Sequence, residues 1–274
     1  MAPARAFVES SAERQAFLRD FANWDEPRRV FITFDVDWAP DYMLHHVLGI
    51  LDPYDVGATF FATHPTPLLE RIAAEGRHEV GFHPNLGSGS SQGSGTDEVL
   101  QTLRSWYPHA VGNRFHVLGY TYRDLMKLPG FGIRYDVSYL MYNTSHLQPA
   151  LHRDLGLTLV PYSWEDGICE NAGDEVGIDS ISLDAPGLKV ANFHPMNVFI
   201  NGPTAEARLN FIRGCGPLLN CPEEHAREHR LNEETGAERA LEGLLERIRR
   251  DGLIAKPLSQ LHDAFKAIPG ETVG

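Results

Sequence analysis

The chain of 274 residues is short of three things, and each shortage removes a class of protein. It has three cysteines, Cys169, Cys215 and Cys221, an odd count without a CxxC pair, so no disulfide framework is expected. The spacing of Cys215 and Cys221 is weak evidence for a bridge or a metal, and two ordinary thiols are the expectation there. It has no apolar run of the length that a membrane span needs, so no transmembrane segment is expected. Its opening stretch, Met1 to Asp20, carries Arg5, Glu9, Glu13, Arg14, Arg19 and Asp20 without the apolar core of a secretory signal, which makes the cytoplasm the expected location. Basic residues are the third shortage: 24 Lys and Arg against 37 Asp and Glu leave a net charge of −13. That balance argues against nucleic acid as a partner and suits a small neutral or cationic substrate better. The oligomeric state is left open.

What is present is an ordinary globular composition, 42% hydrophobic, arranged as short apolar runs that alternate with amphipathic stretches. This is the pattern of βα units. Strands are expected at Val30 to Asp37, Ala58 to Thr63, Glu79 to Phe82, Gly112 to His116, Arg134 to Ser138, Leu157 to Tyr162, Leu188 to Phe193 and Leu253 to Lys256. Helical periodicity runs through Met43 to Leu51, Pro67 to Glu75, Thr96 to Trp106, Leu209 to Arg213 and Glu234 to Arg250, the last with Ala240, Leu241, Leu244, Leu245 and Ile248 on one face. Eight strand candidates suggest an α/β barrel. Two connections are long. Leu86 to Gly95, of Gly, Ser and Gln, reads as a mobile loop over a site with no side chain suited to a core, and Glu165 to Ser182 as a lid or a short antiparallel ribbon.

Chemistry gathers at the strand ends. The run Val30-Phe31-Ile32-Thr33-Phe34 delivers Asp35 and Asp37 to the C-terminal end of a strand, and alternation places both acids on one face. One could hold a cation while the other handles a proton. His83, His116 and His194 each follow a different expected strand, and with Asp37 they form an oxygen and nitrogen set that suits zinc or a similar divalent ion. Singly, each of these histidines reads as a core or rim residue; their coincidence with the paired acids makes the site. His45, His46, His225 and His229 lie in amphipathic or charged helices and read as solvated.

These motifs resemble the NodB-like polysaccharide deacetylases. Thr33-Phe34-Asp35-Val36-Asp37 is similar to the family's Thr-Phe-Asp-Asp-Gly with one residue inserted, and Arg77-His78-Glu79-Val80-Gly81-Phe82-His83 to its Gly-His-Glu-Ile-Gly-x-His. Tyr135-Asp136-Val137-Ser138-Tyr139, Trp164-Glu165-Asp166, Asn192-Phe193-His194-Pro195 and Lys256-Pro257-Leu258-Ser259-Gln260-Leu261 follow in the order of its later motifs. The His-Pro-Asn and Phe-His-Pro variants resemble a bacterial branch associated with O-antigen biosynthesis. The resemblance implies a distorted (β/α) barrel of seven or eight mostly parallel strands over residues 30–267, between an extension at 1–29 and a tail at 268–274.

The activity it implies is removal of an N-acetyl group from a sugar or glycan by a divalent metal, zinc first, with Co2+, Ni2+ or Mn2+ as alternatives. Asp37, His83 and His116 would hold the metal, Asp35 would be the base, Arg114 would fix that base, His194 would protonate the leaving amine and Asp166, ahead of Asp136, would orient His194. Trp38, Tyr139 and Trp164 would stack on the sugar or else be ordinary rim aromatics. The chain departs from the family where a second histidine is due, because Gly87 stands four residues after His83. His116 is the expected replacement and His194 the other candidate. A metal-free glycosidase using Asp35 with Glu165, and an inactive sugar-binding protein, are the alternatives from other classes.

Overall fold

Short runs of β-branched and aromatic residues make most of the strands, and eight of the ten among the described residues lie close to their expected places; those at Ala150–His152 and Trp164–Glu165 are additional. In the computed structural model, which describes residues 28–266 and side chains as far as Ala264, the strands are β1 (Arg29–Asp35), β2 (Ala58–Ala62), β3 (Glu79–Phe82), β4 (Gly112–Asn113), β5 (Tyr135–Leu140), β6 (Ala150–His152), β7 (Leu157–Tyr162), β8 (Trp164–Glu165), β9 (Val190–Phe193) and β10 (Ile254–Ala255). The helices are α1 (Asp41–Leu51), α2 (Pro67–Glu75), α3 (Thr96–Trp106), α4 (Tyr122–Leu125), α5 (Asp166–Ala172), α6 (Pro195–Ile200), α7 (Ala205–Cys215), α8 (Glu223–Glu228), α9 (Ala237–Asp251) and α10 (Leu258–Lys266). The sheet order is β6-β7-β5-β4-β3-β2-β1-β9-β8, with β10 beside β1. Its pairings are parallel except that of β6 with β7.

Arg114 reports how far the sheet curls. It follows β4, yet it donates to Asp35 on β1, and its guanidinium lies 4.7 Å from the Phe61 ring of β2 and 4.2 Å from the Tyr162 ring of β7. In a flat sheet β4 and β1 would stand about 14 Å apart, three spacings of roughly 4.8 Å, beyond the reach of one side chain. The sheet therefore wraps around Arg114 as a distorted (β/α) barrel of mostly parallel strands, the fold the motifs imply.

Alternation along each strand divides the core. Val30, Ile32 and Phe34 of β1 pack outward with Phe60 of β2 and the helices, including Leu241, Leu244 and Leu245 of α9. Phe31 faces inward with Phe61, Tyr135, Val137, Tyr162 and Val190, over Leu258 and Leu261 of α10. Thr33 and Asp35 continue that inward face, so the barrel interior is apolar at its α10 end and polar where the strands finish. The fold thus places the acids at the mouth.

Several local expectations are corrected. The ladder of β4 stops at Asn113 because His116 opens a tight turn in which Val117 and Leu118 take left-handed φ of 47° and 53°. Asp37 is not on β1, which ends at Asp35; it sits in a turn at φ 46°. Glu165 to Ser182 is not an antiparallel ribbon: it runs from the last residue of β8 through α5 to a short 3-10 turn at Ile178–Ser180, and Gly167 and Asn171 of α5 border the site cavity. Leu86 to Gly95 does carry a buried side chain, Gln92. Among the described residues no helix is long and apolar enough to cross a membrane. The expected extension, except Arg28 and Arg29, and the expected tail lie outside the described residues.

Candidate active site

Three strand ends bring Asp37, His83 and His116 together. Asp37 Oδ1 lies 3.0 Å from His83 Nε2 and 3.0 Å from His116 Nδ1, and the two ring nitrogens are 3.4 Å apart. Ligand atoms about 2.0–2.1 Å from a tetrahedral ion are roughly 3.3 Å from one another, so this donor set fits a divalent metal of zinc size. His83 is prepared for such a role, because its Nδ1–H donates to the Arg114 carbonyl at 2.7 Å and leaves Nε2 as the lone-pair nitrogen. Burial would push the Asp37 carboxyl up, but when the His83 ring carries a proton at both nitrogens, hydrogen bonds from His116 and His83 and the charges of His83 and His194 hold it well below the usual carboxylate range; a bound ion would take the place of the Nε2 proton.

Backbone strain marks the same loops. Of the seven non-glycine residues with positive φ among those described, Asp37, Trp38, Val117 and Leu118 flank or supply these ligands. Each such residue costs on the order of 1–3 kcal/mol, which the surrounding packing must offset.

Beneath the cluster, Asp35 is held from two sides. Its Oδ1 accepts Arg114 Nη1 at 2.9 Å and its Oδ2 accepts Asn192 Nδ2 at 3.0 Å. The same Asp35 Oδ2 stands 3.8 Å from His83 Nε2, which places it beside the ligand cluster. Burial raises its pKa, but Arg114 first, then His83 and His194, bring the balance below the ordinary aspartate value, and the carboxylate is ionised at neutral pH. Asn192 also receives Thr33 Oγ1 at 2.9 Å and donates to Glu165 at 3.3 Å, so one amide ties Asp35 to a second buried acid.

His194 is gripped at ring and backbone by one carboxylate. Asp166, the first residue of α5, accepts His194 Nδ1–H at 2.6 Å through Oδ1 and the His194 backbone N–H at 2.8 Å through Oδ2. The free nitrogen Nε2 then lies 3.6 Å from Asp37 Oδ2. Burial lowers the imidazole pKa, yet Asp166, Asp37 and Glu165 together raise it well above the usual histidine value. A metal ion at the Asp37 cluster would pull it back toward neutrality.

Asp37, Trp38, His116, Val117, Glu165 and His194 line one cavity of about 430 Å³. Trp38 meets His116 edge to face at 5.1 Å and donates Nε1–H to Ser91 at 3.3 Å, so the Gly/Ser loop does border the site. Gln92 pins that loop: it accepts Asn85 N–H at 2.7 Å and donates to the Thr63 and His83 carbonyls at 2.9 and 3.0 Å.

The other two aromatics are elsewhere. Trp164 is 1% exposed, packed on Phe193 and bonded to Ser180, and cannot stack on a ligand. Tyr139 lines a separate cavity of about 330 Å³ with Met141, Leu159 and Pro161. Asp136 bonds Asn113 and Ser138 rather than His194. Sequence reasoning passed over Asn192 and Gln92; the signal for Asn192 is a polar amide inside a buried strand, two residues before His194 and therefore on its face.

The sequence model of the WbmS-like polysaccharide deacetylases matches residues 32–209. A crystal structure from Bordetella bronchiseptica, assigned as a polysaccharide deacetylase involved in O-antigen biosynthesis, is 30% identical over 82% of this chain and 91% of that one, with a TM-score of 0.72. A protein of Mycobacterium smegmatis assigned as a polysaccharide deacetylase aligns over 83% of this chain and 92% of its own at 20% identity and a TM-score of 0.45. No curated protein sequence matches.

Proposed function

Because the chain belongs to the WbmS-like polysaccharide deacetylases, we propose that it releases acetate from an N-acetylated sugar or glycan with a divalent ion, zinc first, held by Asp37, His83 and His116. The observation that carries this reading is the convergence of those three donor atoms from separate strand ends, at separations that suit one tetrahedral ion, in a chain with Gly87 where the second histidine of a His-x-x-x-His turn would stand. When bound, the ion supplies Lewis acidity toward the acetamide carbonyl and toward a water molecule.

The chain's own groups do the rest. Asp35 takes the proton of the attacking water at Oδ2, the oxygen nearer His83. Arg114 and Asn192 keep that carboxylate ionised and fixed. His194 gives a proton from Nε2 to the departing amine while Asp166 holds its ring at Nδ1. Trp38 borders the cavity in which the sugar would lie. The same reading takes residues 30–267 as one catalytic domain and the cytoplasm as its compartment.

The test is metal content per chain in protein purified without added metal, followed by acetate release from N-acetylated sugars before chelation, after it and after reconstitution. About one ion per chain, with acetate release lost and regained along with it, is expected. Undiminished acetate release from metal-free protein would remove the ion from the mechanism.

A further inference from the structure

The cavity beside the metal ligands has a far wall that the proposed reaction leaves unused. We infer that Arg208 on this wall reads an anionic group of the substrate while Asn197 beside it accepts a hydrogen bond from the same sugar, so that the acylated sugar carries a carboxylate on its ring or a phosphate at its anomeric carbon; this rests on the deacetylase reading of the same cavity.

Arg208 of α7 lines the 430 Å³ cavity together with Asp37, His116 and His194, and it is the only Lys or Arg among the described residues that do so. Its Nε–H is anchored on the buried Glu170 Oε2 at 2.9 Å. Among the described residues no acceptor engages Nη1 or Nη2. A guanidinium fixed at Nε keeps two parallel donors available, the arrangement that matches the paired oxygens of a carboxylate or phosphate.

Glu170 does not cancel this cation fully. Burial foremost, and the charge of Asp166 next, push its carboxyl up to about 7 against the pull of Arg208. Asn197 of α6 supplies the second observation: it is 1% exposed, lines the same cavity, and its Oδ1 has no hydrogen-bond partner. A buried acceptor of this kind calls for a donor, which a sugar hydroxyl or an amide N–H provides.

The net charge of −13 works against anionic ligands in general. Against that field, a guanidinium with two open donors in the cavity wall supplies a local attraction for an anionic group. The overall charge suits a neutral or cationic substrate, whereas the cation in the cavity wall suits an anionic one.

The experiment compares three probes on the metal-loaded full chain: N-acetylglucosamine, N-acetylglucosaminuronic acid and N-acetylglucosamine 1-phosphate. KM and kcat for acetate release are measured with wild type, Arg208→Gln and Arg208→Lys. Wild type is expected to favour one anionic probe over the neutral sugar by about tenfold or more in KM, the scale of a charge-assisted hydrogen bond. Preference for the uronic acid identifies a ring carboxylate, and preference for the 1-phosphate an anomeric phosphate. In Arg208→Gln the ratio of anionic to neutral KM should approach one, and Arg208→Lys should retain part of the preference. Equal KM values for the three probes in wild type, or a preference that survives in Arg208→Gln, would overturn the inference and leave the deacetylase reading standing. Acetate release from none of them would count against both.

Discussion

Arg114 Nη1 lies 2.9 Å from Asp35 Oδ1, although β4, which Arg114 follows, is separated from β1 by β3 and β2 in the sheet. The guanidinium is buried between Phe61 and Tyr162, so this one ion pair joins opposite walls of the barrel and fixes the proposed base at once. A buried arginine with a carboxylate partner is tolerated; one left alone is not.

Two substitutions separate those roles. Asp35→Asn keeps an oxygen for Arg114 but not its countercharge, so some stability is lost, while Asp37, His83 and His116 stay in place; in the folded protein metal content should persist while kcat falls by about 10²–10⁴, the usual worth of a general base. Retained turnover would rule out Asp35. Arg114→Met strands the Asp35 carboxylate in the barrel and should cost about 3–5 kcal/mol of unfolding free energy, read from urea denaturation.

The loop bordering the site gives a second expectation. Gln92 satisfies Asn85 N–H and the Thr63 and His83 carbonyls, groups that lose their partner together in Gln92→Ala. Each unsatisfied buried group costs roughly 1–3 kcal/mol, partly recovered where water enters. A loss of about 2 kcal/mol in stability, with weaker metal retention because His83 precedes the loop, is expected. A variant with wild-type stability in urea would show that the loop is not pinned through this side chain.

The barrel and most of its acids and imidazoles could be read from residue order, because strand ends in a parallel sheet converge and the types that bind metals and carry protons stood at those ends. His116 comes beside His83 and Asp37 because it closely follows β4, which pairs with the His83 strand. What failed depended on tertiary burial. Trp164 and Tyr139 both stand in motif-like runs, yet one is sealed against Phe193 and the other faces a different cavity. Asp37 was assigned to a strand by alternation, whereas it reaches His83 and His116 through a left-handed turn that no periodicity encodes. Gln92 lay in a segment whose composition advertised only flexibility. Arg208 and Asn197 come from helices that pack over the mouth, a placement set by long-range contacts rather than by a motif.

Acid should weaken the fold through His78, away from the site. Its Nδ1 accepts the Ala58 backbone N–H at 3.1 Å, a bond that needs an unprotonated ring, and burial with the nearby Arg77 charge lowers its pKa from 6.5 to about 4. The unfolded chain then binds more protons than the native one between those values, so stability falls as pH drops from 6.5 toward about 4. His78→Asn, which offers an amide oxygen but no titrating ring, should flatten that part of the Tm against pH curve. An unchanged slope would mean that His78 is not linked to acid unfolding.

The two histidines that could have replaced the missing ligand are separated by metal retention. His116 Nδ1 faces Asp37 Oδ1 and His83 Nε2 inside the cluster, whereas His194 is held by Asp166 and only approaches Asp37 at 3.6 Å. His116→Ala should therefore lose more metal affinity than the roughly 10–100-fold typical of removing a supporting partner. His194→Ala should keep its ion and lose kcat by about 10²–10⁴, as expected for a general acid. Zinc titration against a competing chelator, paired with acetate release, reads both quantities on the same samples. Loss of the ion in His194→Ala and its retention in His116→Ala would exchange the two assignments, with His194 becoming the second imidazole ligand and the proton donor having to be sought among the other groups lining the cavity, of which Glu165 is the first to test.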